Sequence, residues 1–367
     1  MNPITFTGTV IRGIDIGAKF GIATANLVVK EKLDLEEGVY FVQAGFEIKQ
    51  KQGTRNKEQG IKGKNNITPK TPHSVFPFPY SSSQTQVKLP AIMHLGHRQT
   101  FGGEFSIEVH LLDFSEDLYD QALTIDVLKY WRPTKKFRNA DLLFTQIEND
   151  IIKARKFFLR REIKAQWQKV TDPQKQTWAE QAVKQLAAIP EFQAAKNILA
   201  FAPMTNEIPY IPLLCEKFPE KEYYFPKIEK KSKVTSLKSQ DLSEKFLDEE
   251  MVFYRSRYQD LEPGRWGILE PKEGTRYEIR STNNVVTDSQ KNTSPLAPRS
   301  SHLDIILVPA LAATPDGHRL GRGAGFYDRF VSQHPDLHSI CVLPEFAVRG
   351  EVPVEQNDKE INQTMII

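Results

Sequence analysis

Residues Asp304–Phe330, DIILVPALAATPDGHRLGRGAGFYDRF, decide the reading of the chain. Ile305-Ile306-Leu307-Val308 is a continuous apolar run opened by Asp304 and closed by Pro309, the pattern of a parallel strand buried on both faces. Pro315-Asp316-Gly317 carries turn chemistry. Arg319 then leads into Gly321-x-Gly323-x-Gly325, and a helix is predicted from Phe326 to Ser332. Strand, glycine loop and helix N-terminus together suit phosphate, because bare backbone N–H groups reach its oxygens and the helix dipole favours the anion. Arg319 and Arg322 add charge-assisted donors, and Asp328 could hold a metal ion shared with the phosphates. A glycine-rich turn between a core strand and a surface helix has the same spacing, so spacing alone does not separate the two readings.

Outward from this stretch, helices and strands alternate. Ile340–Leu343 reads as a last inner strand. Upstream, helix Pro173–Ala188 is predicted with Asp172 as its cap, then strand Asn197–Ala202, helix Pro209–Glu216 and strand Tyr223–Pro226. Asn139 is a plausible N-cap for a long helix in which Leu143, Ile147, Ile151, Ala154 and Phe158 recur at helical steps. Before residue 139 the period changes to two. Strands are predicted within Phe6–Val29 (two around a glycine-bearing loop), at Gly38–Val42, Leu89–His94, Ser106–Phe114 and Leu123–Tyr130. Several short strands without intervening helices indicate an antiparallel barrel or sandwich. Two polar stretches, about 50–87 and about 274–300, lack periodicity and read as mobile insertions.

Composition bounds the function. At 367 residues two domains are expected, 1–150 and 151–367, with no internal repeat. A net charge of +3 gives no case for nucleic acid but is compatible with small anionic ligands. Cys215 and Cys341 have no metal spacing, which points to a reducing compartment. No apolar run reaches transmembrane length and the first residues lack a signal-peptide pattern, so the expectation is a cytoplasmic protein without a membrane partner. A monomer or dimer is expected. His94 and His97, three apart on a strand or turn, make no metal face.

The glycine stretch resembles the signature of 5-formyltetrahydrofolate cyclo-ligase, VPG…D-x-x-G-x-RLGYGGGYYDRF. The matching residues are Val308-Pro309, Gly317, Arg319-Leu320-Gly321, Gly323, Gly325 and Tyr327-Asp328-Arg329-Phe330. Departures are Ala310, Thr314, Arg322, Ala324 and Phe326. Lys156…Leu159-Arg160 resembles the family's K-x-x-L-R, Phe225-Pro226-Lys227 its F/L-P-[KR], and Trp266–Pro271 its F-G-I-x-E-P. Glu207 matches a family Glu that contacts folate. Val352-Pro353…Asp358 resembles I-P…H-D, with Asn357 for His, and Ala347 stands where the family has Gln.

The first half resembles riboflavin kinase through four ordered motifs. Gly17…Gly21-Ile22-Ala23-Thr24-Ala25-Asn26 resembles G…G-x-P-T-A-N, and Gly38-Val39-Tyr40 resembles G-V-Y. His94–Phe101, Glu108-Val109-His110-Leu111, Phe114 and Asp117-Leu118-Tyr119 follow N-I-G-x-R-P-T-F…E-x-H-[IL]…F…D-L-Y. Arg132-Pro133…Phe137 follows R-P-x-x-x-F. Ala23 and Gln99 replace prolines, and His94 replaces an Asn.

Together the two resemblances imply a two-domain α+β / α/β chain. A six-stranded antiparallel β-barrel precedes a three-layer α/β domain with a mainly parallel sheet, and the two helices at the junction merge. The implied chemistry is ATP- and Mg²⁺-dependent phosphorylation of riboflavin to FMN, and ATP-dependent closure of 5-formyltetrahydrofolate to the 5,10-methenyl form. Thr24 and Asn26 would hold Mg²⁺ and phosphates, and Glu108 would be the base for the 5′-hydroxyl. Arg98 and Arg132 would bind substrate. In the second half Arg319 would be catalytic. Lys156, Arg160, Gly321, Gly323, Gly325 and Tyr327 would hold the triphosphate, Asp328 and Asp358 the metal, and Glu207 would orient folate. Each residue type also suits a plain structural role: Glu108 on an amphipathic strand, Lys156 and Arg160 on a solvated helix face. The alternative function is a half, more readily the second, that binds flavin or folate without turnover.

Overall fold

A computed structural model describes residues 4–13, 22–47, 86–98, 100, 104–230, 248–272, 274–277 and 304–367. Nearly all of both predicted insertions, and Gly17, Gly21, Gln99 and Phe101, lie outside the described residues. The chain divides into two compact units, residues 1–159 and 160–367.

In the first unit, β1 (Thr5–Ile11), β2 (Ala25–Val28), β3 (Gly38–Glu47), β4 (Gln86–His97), β5 (Phe105–Leu111) and β6 (Ala122–Arg132) form a closed barrel in the order β1-β2-β5-β4-β3-β6. Every pairing is antiparallel. Alternation decides which residues fill it. On β5, Ile107, Val109 and Leu111 are buried with Met93, Leu95, Leu123 and Ile125 in one apolar cluster. Ser106, Glu108 and His110 therefore face the other side of the sheet. Among the described residues the lumen is filled by these apolar side chains.

Helix α1 (Ala140–Trp167) follows. Asn139 Oδ1 accepts the Leu142 N–H at 3.0 Å, as the N-cap reading expects. The sequence places the domain boundary at 150/151, whereas the first unit runs to Leu159. The cause is packing by residues beyond 150: the Phe157 ring lies 5.3 Å from Phe41 and Arg155 pairs with Asp113. A fragment ending at residue 153 should therefore be less stable than one ending at 159 by about 3 kcal/mol or more, because it loses the Phe157 ring packed on Phe41 together with the Arg155–Asp113 pair. Urea denaturation of the two fragments checks this; equal midpoints would place residues 154–159 outside the barrel's core.

The second unit continues with α2 (Asp172–Ala187), α3 (Pro190–Ala194), β7 (Asn197–Leu199), α4 (Tyr210–Lys217), β8 (Glu222–Lys230) and β9 (Glu249–Arg255). Two short ribbons, β10 (Glu262–Pro263) with β11 (Leu269–Glu270) and β13 (Ala312–Ala313) with β14 (Arg319–Leu320), flank β12 (Ile305–Leu307) in sequence. Helix α5 (Phe326–Gln333), β15 (His338–Leu343) and β16 (Gln363–Ile366) complete it. The main sheet has the order β16-β15-β12-β7-β8-β9 and is parallel except for β9, which runs antiparallel to β8. Strand β12 lies between β15 and β7 and is buried at every residue, as the apolar run 305–308 predicts. Thr171, not Asp172, caps α2: its Oγ1 accepts the Gln174 N–H while the Gln174 side chain returns to the Thr171 N–H, a capping box that places Asp172 and Pro173 inside the first turn. Among the described residues no helix is long and apolar enough to cross a membrane.

Candidate functional sites

The outer wall of the barrel carries a cavity of about 190 Å³, room for much more than one or two waters. It is lined by Thr24 and Asn26 of the β2 segment, His94 of β4, Glu108 and His110 of β5, Arg132 of β6, and by the 134–137 segment and α1. Strand register assembles it. Asn26 lies opposite Glu108, and Glu108 lies opposite His94, so three neighbouring strands present their side chains on one face.

Arg98 joins these groups. Its Nε donates to Glu108 Oε1 at 2.6 Å and its Nη2 to Asn26 Oδ1 at 2.9 Å. Ser106 Oγ donates to the same Glu108 oxygen at 3.0 Å, leaving Oε2 for another partner. Thr24 is held indirectly: His110 Nδ1 donates to the Ala23 carbonyl at 2.7 Å, fixing the loop whose proline the sequence lacks. The Asn26 amide lies so close to Gly13 that a Cβ there would overlap it. Arg132 is committed elsewhere in the cavity, with Nε and Nη2 on both oxygens of buried Asp150, which Trp131 and Gln146 also contact. Thr24 and Asn26 offer neutral, hard oxygen donors of the kind Mg²⁺ accepts beside phosphates.

Burial lowers the pKa of His94, with Glu108 opposing and Arg132 and Arg98 adding to the shift. Burial lowers His110 as well, aided by Arg155 and opposed by Asp113 and the Ala23 carbonyl. Both rings would titrate near 6.5 in the unfolded chain, so below that pH the unfolded state binds more protons. Stability of the barrel should then fall as pH drops through about 6.5 and level off below the folded pKa values. His94→Asn should flatten part of this dependence. Urea midpoints of the 1–159 fragment between about pH 7.5 and 5.5 measure it; a pH-independent midpoint in the parent would contradict it.

The second site surrounds the glycine loop. Gly323 (φ +108°) and Gly325 (φ +68°) occupy left-handed backbone, while Ala324 between them does not, so its Cβ is tolerated. Gly325 is the N-cap of α5. Arg160 Nε donates to the Gly321 carbonyl at 2.9 Å and its guanidinium lies against Gly323. Arg319, only 6% exposed, donates from Nη2 to Asp328 Oδ1 at 2.8 Å, and its buried Nε has no hydrogen-bond partner among the described residues. Asp328 Oδ1 also accepts the Lys359 N–H at 3.2 Å, and Asp358 Oδ2 accepts the Glu355 N–H at 2.8 Å. Among the described residues no three His, Cys, Asp or Glu side chains converge as a metal cluster.

Glu207, 8% exposed, accepts from Arg322 Nε and Nη2 at 3.2 and 2.7 Å on one oxygen and from the Met204 N–H at 2.8 Å on the other. Desolvation, with Glu207 adding, holds the Tyr327 hydroxyl far above its usual range, so it stays protonated. The Tyr210 hydroxyl is buried without a hydrogen-bond partner among the described residues. Burial, with Glu207 adding to it, pushes the Cys341 thiol up to about 12. Lys156, 4% exposed, lies on α1 within the first unit.

Sequence reasoning did not single out Tyr210, which lies near Glu207 and Tyr327, or Trp266 by itself. Trp266 is half-exposed at φ +58°, unusual for a bulky residue, with Arg265 over its ring at 4.3 Å and the Phe326 ring 6.4 Å away. Its motif match was the available signal.

A closed antiparallel barrel bearing an Asn–Arg–carboxylate array, followed by a mainly parallel sheet with a glycine-rich loop at the start of a helix, defines a chain of two enzyme folds whose families both use ATP. The chain belongs to the 5-formyltetrahydrofolate cyclo-ligase family, matched over residues 152–366, and residues 1–158 match the riboflavin kinase family. The two matches overlap inside α1. A bifunctional riboflavin kinase/FMN adenylyltransferase of Escherichia coli is 27% identical over 158 residues, 43% of this chain and 39% of that protein. A 5-formyltetrahydrofolate cyclo-ligase of Mus musculus is 22% identical over 213 residues, 56% of this chain and 91% of that protein. The 5,10-methenyltetrahydrofolate synthetase of Aquifex aeolicus is similar at 24% identity with a TM-score of 0.41, covering 57% of this chain and 89% of that structure. The chain thus spans about two fifths of the length of the Escherichia coli relative.

Proposed function

We propose that this chain phosphorylates riboflavin to FMN with its first unit and closes 5-formyltetrahydrofolate to 5,10-methenyltetrahydrofolate with its second, both at the expense of ATP. The observation that carries the first half is the Asn26–Arg98–Glu108 array on the cavity wall. Glu108 Oε2 takes the proton of the riboflavin 5′-hydroxyl as its oxygen attacks the γ-phosphorus and ADP leaves. Arg98 holds Glu108 in place and orients Asn26, which with Thr24 would bind Mg²⁺. That ion, when bound, neutralises charge on the transferring phosphate.

In the second unit, the loop 321–325, Arg319 and Arg160 bind the triphosphate, and Arg319 Nε, without a partner among the described residues, is a donor in reserve for it. Glu207 orients folate, and Trp266 offers an exposed aromatic face to a flat ring system. The N5-formyl oxygen attacks the γ-phosphorus and ADP leaves. N10 then adds to the formyl carbon, its proton is lost, and phosphate departs. Asp328 and Asp358 remain candidates for a metal that the phosphates mostly ligate. Tyr327 supplies a neutral hydroxyl, and Arg132 positions substrate through its Asp150 pair.

Incubation of the full chain with Mg-ATP and either substrate, with products identified by mass, tests this reading. FMN and the methenyl folate are expected. Binding of a substrate without turnover would instead identify that half as a ligand-binding module.

A further inference from the structure

Glu207 and the glycine loop are joined by one side chain. Arg322 sits between Gly321 and Gly323, yet its guanidinium reaches back to Glu207, with Nη2 also donating to Asn206 Oδ1 at 2.8 Å. Both Glu207 oxygens are thereby committed, one to Arg322 and one to the Met204 N–H. A flat heterocycle that presents paired N–H groups to a carboxylate needs the position that the guanidinium now fills. The other loop cations are held in place: Arg319 is 3% exposed in its side chain and paired with Asp328, and Arg160 is tied to the Gly321 carbonyl. The Arg322 side chain, by contrast, is 37% exposed, and the left-handed glycine after it gives its backbone freedom to move.

We propose that Arg322 couples the two subsites: it closes the folate subsite at Glu207 until a bound polyphosphate draws it into the loop, so that nucleotide and folate bind cooperatively. The inference rests on the reading of Glu207 and the loop given above. Its driving force is charge. One carboxylate competes for the guanidinium against several phosphate oxygens, and a carboxylate released from its cation accepts neutral N–H donors in exchange. Linkage makes the effect reciprocal: each ligand must tighten the other by the same factor.

The test is calorimetric titration of the full chain with 5-formyltetrahydrofolate, with and without saturating inorganic tripolyphosphate or a non-hydrolysable ATP analogue. Folate affinity is expected to rise by a factor in the range of about 5–150 in the presence of either, and analogue affinity by the same factor in the presence of folate. Tripolyphosphate suffices because the nucleoside plays no part in the switch. In Arg322→Met, folate should bind alone about as tightly as it binds the parent with tripolyphosphate, and the coupling factor should fall to about one. Equal folate affinity with and without polyphosphate in the parent overturns the proposal even if the variant does not fold. So does coupling that survives in Arg322→Met. If the parent binds neither ligand, the reading of the site itself fails, an outcome distinct from binding without coupling.

Discussion

Glu108→Gln is expected to lower riboflavin phosphorylation by roughly two to four orders of magnitude, the usual contribution of a positioned general base. The substitution keeps the side chain's size and an amide oxygen that still accepts from Arg98 and Ser106. It removes the acceptor for the hydroxyl proton. ATP binding should change little, because Asn26 retains its Arg98 contact. The loss should therefore appear in kcat, with KM for ATP nearly constant. Near-parent turnover would remove Glu108 from the mechanism. A large rise in KM for ATP at unchanged kcat would recast it as a residue that orients Arg98.

Arg319 carries the second large effect, and the structure changes its nature from a loop charge to a buried one. Arg319→Met leaves Asp328, whose side chain is 18% exposed, without its cation, and breaking a pair of which one partner is buried costs up to about 3–5 kcal/mol. The second unit should unfold at markedly lower urea, and methenyl folate synthesis should vanish. Arg319→Lys separates stability from chemistry. Lysine restores a charge beside Asp328 but cannot reproduce the planar fork, nor the Nε donor that has no partner among the described residues. Most of the stability should return, while cyclo-ligase kcat/KM stays at least tenfold down, the equivalent of about 1.4 kcal/mol of transition-state binding. Full recovery of activity in Arg319→Lys would reduce Arg319 to a structural cation.

Much of this was legible in sequence. The apolar run 305–308 could satisfy its burial only between two other strands, and it lies between β7 and β15. Period-two alternation placed Ile107, Val109 and Leu111 on one face, and so Glu108 on the other. Other features depend on tertiary partners. Arg322 and Glu207 are 115 positions apart and no spacing rule joins them. β16, a four-residue strand near the chain end, forms because β15 offers it a parallel edge; its own sequence, Gln-Thr-Met-Ile, carries little pattern. The unit boundary at 159 follows from Arg155 and Phe157 touching Asp113 and Phe41, contacts that α1's own periodicity cannot announce. Thr171 and Asp172 are both good caps, and only the Gln174 side chain's return to the Thr171 N–H decides between them.

The proposed function gives one chain two active sites. Riboflavin phosphorylation and methenyl folate formation, measured on the same preparations of the parent, Glu108→Gln and Arg319→Lys, decide it. The parent is expected to perform both reactions, Glu108→Gln to lose only the first, and Arg319→Lys to be impaired only in the second. A parent that forms no methenyl folate, or a variant that loses both activities while remaining folded, would contradict it.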